Sequence, residues 1–386
     1  MHRAGFGCIL VGMLTPVVSS AASDTGYGLL WSQRLQASSE SKEQRSRPTL
    51  DPVHQRVLVG TAKGELQALQ LADGSLAWKQ DFTGRVSGQA VISGPAVLVT
   101  ADDGMLHALR ADTGERVWVF PLGTEPAAPP VVSRGKVYLQ TGLDQLVVLD
   151  LQDGALRWTC DRYEDGGRPD QVTLYGHTRP TPVLLPLSQR GKAKRLVLMG
   201  TSDGQLLAIN DDPKEDECDL VWAKRLGPEG RDFADVDAGP VVLDGIIYTA
   251  SYAGGVYALQ LADGAVQWHR KRLRGVHGIA ADRQRLYLTA RDRVAAIDRK
   301  TGKSLWRYRF QGGVPTEPIV RDGVLWFGRS TGPMTRLNAQ TGDVLQVIDT
   351  GNGFSAGPAL RKQLAVLLSN GGMLYLLAKN HGDALQ

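Results

Sequence analysis

A unit of about 40 residues recurs along almost the whole chain, and nearly every copy carries a tryptophan at one fixed place. The clearest copy runs from Leu106 to Trp118: a short apolar run, an Asp-Thr-Gly turn, and a second run that ends on the indole. Apolar runs on either side of an Asp/Gly turn read as a β-hairpin. The first run opens at Leu66, Leu106, Leu146, Leu206, Val256, Val294, Met334 and Leu374. Tryptophan follows twelve residues later at Trp78, Trp118, Trp158, Trp268 and Trp306. In the fourth unit the gap widens to sixteen and ends on Trp222; in the seventh the position holds Gln346. Glycine stands four residues before the tryptophan position in six units, at Gly74, Gly114, Gly154, Gly264, Gly302 and Gly342.

Two more apolar runs precede each hairpin, as in Ala90–Ile92 with Ala96–Val99, and Gly239–Val242 with Ile246–Tyr248. Four short strands in such a unit make a propeller blade. A helical repeat is excluded, because no window sustains a 3.6-residue period and glycine interrupts every run. The 45 glycines suit the same turn-rich, all-β reading.

The ends set the blade number. Leu374 opens the third strand of an eighth unit, and its tryptophan position would fall at residue 386, beyond a polar tail. The missing strand is at the other end: residues 28–35, around Trp31, form a tryptophan strand with no hairpin partner before it. Pairing it with the C-terminal strands closes an eight-bladed β-propeller and removes an open sheet edge. The expected layout is a signal peptide over 1–22, the closing strand and a polar linker (37–47) within 23–47, the propeller over 48–380, and a tail over 381–386.

The signal-peptide expectation rests on Arg3, an apolar stretch from Gly5 to Val18, and small residues at Ser20-Ala21-Ala22, with cleavage near Ser23. The apolar stretch is short for a membrane span of ~18 residues or more. Cys8 follows Gly5-Phe6-Gly7 with no leucine-rich segment ahead, so it makes no convincing lipid-attachment site and would leave with the signal. The net charge of +4 gives no argument for nucleic acid as a partner.

Departures from the repeat are the informative places. The stretch from Trp158 to Leu206 exceeds the regular spacing through a polar loop, 161–178, and a basic one, 189–195. The stretch from Trp222 to Val256 exceeds it through 227–237. Connections from the last strand of one blade to the first of the next emerge on one face. The 161–178 and 227–237 insertions therefore share a face at neighbouring junctions, 3/4 and 4/5, where a rigid array usually carries its binding loops. Val172, Leu174 and Tyr175 lie in the first, and Asp235 and Asp237 in the second. Apolar residues rimmed by charge describe a protein-binding patch.

Other constellations read as structural. One tryptophan per blade at a fixed place is a packing element between blades, not a row of ligand-stacking sites. The acidic insertion 211–219 lacks the spacing of an EF-hand loop, and the basic run 269–274 reads as a solvated loop. The histidines form no metal-binding motif, and neither a nucleophile elbow nor a phosphate loop occurs. Cys160 and Cys218 would meet an oxidising compartment after export. Cys160 follows its tryptophan by two residues and Cys218 precedes its own by four, which places them toward opposite faces, farther apart than the ~7 Å a bridge allows. Only a fold-back of 211–219 would join them.

With its Leu-Asp-x-x-x-Gly-x-x-x-Trp flavour, the repeat resembles the pyrroloquinoline-quinone-type eight-bladed propellers. Within that group the chain resembles the BamB family of outer-membrane β-barrel assembly factors, most closely over 232–306, with Asp235-Val-Asp237, Pro240-Val-Val and Arg285-Leu-Tyr-Leu. The resemblance implies a non-catalytic scaffold in the periplasm at the inner face of the outer membrane, with no cofactor. It implies docking on the periplasmic domains of a BamA-type barrel-inserting subunit and contact with unfolded outer-membrane proteins. The family's Asp-Val-Asp loop maps onto Asp235 and Asp237. Its Leu-x-Leu-Arg-Gly loop is similar to Val172-Thr-Leu174-Tyr175-Gly, with Tyr175 in place of the arginine. The alternatives are a periplasmic binding propeller of other specificity and a quinone-dependent dehydrogenase; the latter's adjacent cysteine pair is missing from this sequence.

Overall fold

The computed structural model describes residues 17–20, 26–35, 44–126, 128–161, 181–185, 195–213, 218–228, 235–236 and 238–379. Among these residues the strands form eight antiparallel sheets, each a simple meander whose neighbours follow in chain order except at the closing seam. Blade 1 spans 49–81, blade 2 spans 91–121, blade 3 spans 131–160 and blade 4 spans 181–225. Blade 5 spans 238–270, blade 6 spans 276–309 and blade 7 spans 319–349. In blade 8, Met373–Lys379 pairs with Leu364–Leu368 on one side and with Tyr27–Arg34 on the other. The expected ring closure around Trp31 is therefore the one observed. Val17–Ser20, inside the expected signal peptide, adds a fifth strand along the outer edge of blade 7 in the uncleaved chain, with Val17 opposite Asp349.

The alternating pattern of the strands does not build a single central core. It builds eight clusters, one per junction between blades. Leu58, Val97 and Trp78 share one at junction 1/2, and Val57, Val366 and Leu376 share another at junction 8/1. Each meander buries both of its faces against neighbours, so the two middle strands read as nearly continuous apolar runs, such as Leu196–Met199 and Leu206–Ile209.

A β-bulge in every outer strand explains the tryptophan. In blade 1, Leu69 faces Leu76 but Ala68 faces Trp78, so residue 77 is the extra one. The same shift precedes Trp31, Trp118, Trp158, Trp222, Trp268 and Trp306, and Gln346 in blade 7. The bulge re-aims the indole toward the next blade. The small Ala68, Ala108, Ala208, Ala258 and Ala296 stand opposite tryptophan in five blades.

The indole then packs on the turn between the third and fourth strands of the following blade. Its Nε1 donates to the first backbone carbonyl of that turn: Trp31 to Leu71 at 2.9 Å, Trp78 to Ala111 at 3.1 Å, Trp118 to Leu151 at 3.2 Å. Trp222, Trp268 and Trp306 do the same with Leu261, Arg299 and Ala339. The turn glycine is required by contact as well as by backbone. Gly114 has φ +78°, and a Cβ there would stand 2.5 Å from the Trp78 ring. The tryptophans are blade-packing elements, as expected.

The cysteines correct the sequence reading. Cys160 and Cys218 are disulfide-bonded, with Cα atoms 4.5 Å apart. Cys218 stands four residues before Trp222, which is the place of the turn glycine in the other blades. That glycine lies beside the preceding blade's outer strand, two residues beyond the tryptophan. At junction 5/6 Arg270 Nε donates to Gly302 O at 2.9 Å across the same gap. By spacing alone the two cysteines fall toward opposite faces on adjacent outer strands; they meet because each turn folds down onto the preceding blade.

Candidate functional site

A four-stranded meander divides its connections between two faces. Links between blades and the turns joining second to third strands share one; the other two turns share the opposite one. The loop 161–178 follows Cys160, and the loop 227–237 follows Arg225, so both leave the first face, at neighbouring junctions. The basic loop 189–195 falls between Thr181–Leu184 and Arg195–Gly200, inside blade 4, and therefore belongs to the opposite face.

The stems of the second loop are fixed. Leu226, 2% exposed, donates its N–H to Gly204 O at 2.8 Å and accepts the Tyr257 hydroxyl at 2.7 Å. Gly254 lies against it so closely that a Cβ would stand 2.1 Å from the Leu226 carbonyl oxygen. At the other end Val236 is buried in the cluster of junction 4/5, and its N–H donates to Thr201 O at 3.2 Å. Asp235 accepts the Tyr252 N–H on its carbonyl at 3.0 Å. The Asp235-Val236 pair thus ties the loop to blade 4 and blade 5 together.

Asp235 is only 3% exposed, and its Oδ1 is buried with no hydrogen-bond partner among the described residues. Its carboxylate is buried instead of lying on the surface. Val172, Leu174, Tyr175 and Asp237 lie outside the described residues.

At junction 3/4 the described surface of this face is polar and internally bonded. Asp144 accepts the Ser202 N–H at 2.9 Å, the Ser202 hydroxyl, and Gln140 Nε2 at 3.2 Å. Gln140 Nε2 also donates to Gly200 O at 2.8 Å, so blades 3 and 4 are stitched together on this face. Burial pushes the Asp144 carboxyl above its ordinary value, against the pull of Ser202 and Gln140. The sequence carried a signal for Asp144 that the reading passed over. It occupies, at φ +59°, the turn position that is glycine at Gly64, Gly104, Gly204 and Gly372.

The first two residues of the acidic insertion of blade 4, Asp211 and Asp212, are engaged within the protein. Asp211 is 2% exposed and accepts the Tyr138 hydroxyl at 2.7 Å, while Lys136 Nζ donates to Asp211 O and to Asp212 Oδ1, both at 2.7 Å. Burial and the Asp211 carboxylate push the Tyr138 phenol well above its ordinary value. Among the described residues no group of three His, Cys, Asp or Glu is placed to hold a metal ion. Cys160 and Cys218, neither adjacent in sequence nor free, do not supply the cysteine pair of the quinone enzymes.

The family profile described as "Outer membrane protein assembly factor BamB" matches residues 62–304 and 256–385. Proteins of that name show the same likeness. The one from Yersinia pestis is 26% identical over 343 residues, covering 84% of this chain and 82% of the relative. The one from Vibrio cholerae is 28% identical over 334 residues, covering 83% and 81%. Among solved structures, BamB from Moraxella catarrhalis superposes with a TM-score of 0.71 at 21% identity, covering 92% of this chain and 100% of that one. A europium-containing methanol dehydrogenase superposes with a TM-score of 0.68 at 15% identity, covering 91% and 93%. At these identities the superpositions speak for the fold alone.

Proposed function

The chain belongs to the BamB family of outer-membrane protein assembly factors, and from that premise we propose that it is a non-catalytic periplasmic scaffold that docks the periplasmic domains of a BamA-type subunit on its interblade-loop face. The observation that carries this is the common exit of the two long interblade loops, on one face at neighbouring junctions and from stems fixed by Cys160, Leu226 and Val236. Rigid stems lower the ordering cost of binding, which favours affinity.

The roles divide by position. Leu174 and Tyr175, with Val172, supply the buried contact; a tyrosine in place of the family's arginine suits an interface anchor. Asp237 supplies polar pairing. Asp235, buried beside Val236, positions the loop that presents Asp237, and its unpaired Oδ1 is available to a donor that the partner or the loop brings. In this reading the protein reaches the periplasm through an N-terminal signal cleaved near Ser23.

The test is binding of purified protein to the periplasmic domains of the BamA-type subunit by surface plasmon resonance. Leu174→Ala with Tyr175→Ala is expected to cost ~2 kcal/mol or more, a thirtyfold loss. Asp237→Ala and Asp235→Ala should weaken binding as well, the second with altered exchange of loop 227–237. Full binding by both pairs of variants would refute these assignments.

A further inference from the structure

The face that carries the interblade loops does not end at junction 4/5. Next to it, between blades 5 and 6 and the link to blade 7, lies a cleft of about 580 Å³ walled by Tyr252, Arg274, Arg291, Asp292, Arg293 and Phe310. Arg293 opens the third strand of blade 6, and the others come from turns or interblade links on that face. Nothing in the repeat demands this composition: the corresponding turn of blade 2, at 102–104, reads Asp-Asp-Gly, whereas blade 6 has the shorter turn Arg291-Asp292 followed by Arg293 at the head of the next strand.

The cleft is built onto the stem of the second loop. Tyr252 donates its N–H to Asp235 O at 3.0 Å and accepts the Gly275 N–H at 2.9 Å. On the far side Phe310 donates its N–H to Asp292 O at 3.1 Å. The Arg329 guanidinium lies 5.3 Å from the centre of the Phe310 ring and donates to Gly312 O at 3.1 Å, which holds the aromatic wall in place. The backbone carrying each aromatic ring is thus fixed by hydrogen bonds.

The charge is one-sided. Of the single carboxylate and three guanidinium groups in the walls, Asp292 is paired with Arg293 at 2.7 Å. Arg274 and Arg291 are exposed, and Arg291 has no hydrogen-bond partner among the described residues. Lys271 and Arg272, also exposed, continue the positive field along the link. Arginine beside aromatic rings recognises a planar carboxylate bidentately and leaves apolar surface for a neighbouring side chain. This is the composition that carries the energy of protein interfaces.

We propose that this cleft receives an acidic peptide segment bearing an aromatic side chain, contributed by the protein that docks on the neighbouring loops. The inference rests on the docking proposed above for the identity of that protein, and on charge complementarity for the chemistry of the segment. It enlarges the footprint from blades 3–5 to blades 3–7.

Two arms keep the cleft and the loops separable. The first uses a fluorescein-labelled peptide of alternating Glu and Tyr, and its Lys-Tyr counterpart, in fluorescence anisotropy at low and at physiological salt. Arg274→Glu with Arg291→Glu is compared with Arg283→Glu and Lys300→Glu, exposed groups on the opposite face of blade 6. Thermal melting checks that all variants fold. The Glu-Tyr peptide should bind, the cleft pair should weaken it at least tenfold, the control pair by less than twofold, and the Lys-Tyr peptide should not bind. Equal losses in the two pairs would reduce the effect to net charge and overturn the proposal; so would an unaffected cleft pair. The second arm measures binding to the periplasmic domains of the BamA-type subunit. The cleft pair should lose about tenfold and most of the salt dependence, while retained affinity and salt dependence would overturn the shared footprint. If the unaltered protein does not bind those domains, the docking proposal and the shared footprint fail together, while the peptide arm still judges the cleft chemistry by itself.

Discussion

Six of the blade junctions and the remaining two solve the same problem with different chemistry. At six, an indole donates to a backbone carbonyl of the next blade and packs on its turn glycine. At junction 3/4 the turn is replaced by the insertion 211–219. The equivalent carbonyl, Asp211 O, is taken by Lys136, and Trp158 Nε1 is left without a partner among the described residues. The Cys160–Cys218 bond stands where the glycine contact would be. At junction 7/8 there is no turn to pack on, because blade 8 is where the two ends of the chain meet. There Gln346 replaces tryptophan; its Oε1 accepts the Tyr27 N–H and its Nε2 donates to Tyr27 O, both at 2.9 Å.

The second exception is a coordinated substitution. Arg336 stands opposite Gln346, where alanine faces tryptophan in most blades, and donates to Gln346 Oε1 at 2.6 Å. Its guanidinium lies 4.7 Å from the Tyr27 ring centre and 4.9 Å from that of Trp326. Burial lowers the Arg336 pKa to about 10, which leaves it charged at neutral pH. The first exception bears on function. Cys160 ends the strand from which loop 161–178 departs, so the covalent bond holds the root of a proposed docking loop at the junction that lost its indole bond.

The largest expected effect probes the regular junctions. Trp78→Ala removes a nearly buried indole and should cost about 3–5 kcal/mol in urea unfolding; a cost below 1 kcal/mol would deny the indoles their packing role. Next comes the covalent junction. Cys160→Ala with Cys218→Ala should cost about 2–4 kcal/mol, the typical contribution of a disulfide. Reductant should then destabilise the native protein and leave the double variant unchanged. A smaller contrast separates the two kinds directly. Trp78→Phe loses its hydrogen bond to Ala111 and should cost about 1 kcal/mol more than Trp158→Phe, which has no such bond to lose.

The smallest effect is the pH dependence of junction 1/2. His107 is 4% exposed beneath Phe82, and burial depresses its pKa, opposed by Asp103. The neutral ring is the folded form, so below the ordinary value of about 6.5 the unfolded chain binds the extra proton. Its contribution is present above that pH and is lost as the pH falls through the depressed value. His107→Gln should flatten the stability profile across that window; an unchanged slope would place the titration elsewhere.

Much of this was legible because the repeat is a ruler. Trp31 and Leu374 disclosed the ring closure, and the spacing anomalies located both loops. Other features were hidden for physical reasons. Cys218 sat at the glycine position of the ruler, but the contact it makes is between blades and appears only when the turn folds onto its neighbour. Asp235 reads as an exposed turn residue, yet Val236 beside it is drawn into the core and takes the carboxylate below the surface. Gln44 and Ser46 belong to a stretch read as polar linker, but both are buried. Ser46 accepts the Gly60 N–H and donates to Gly88 O, each at 3.0 Å, stitching this segment to blades 1 and 2.

The most direct test of the account is hydrogen–deuterium exchange of the protein with and without the periplasmic domains of the BamA-type subunit. Protection is predicted in 161–178 and 227–237 and in the cleft residues 252, 274–275 and 291–293. Protection confined to the opposite face, at 189–195, 211–219 and the turn around Lys300, would contradict it.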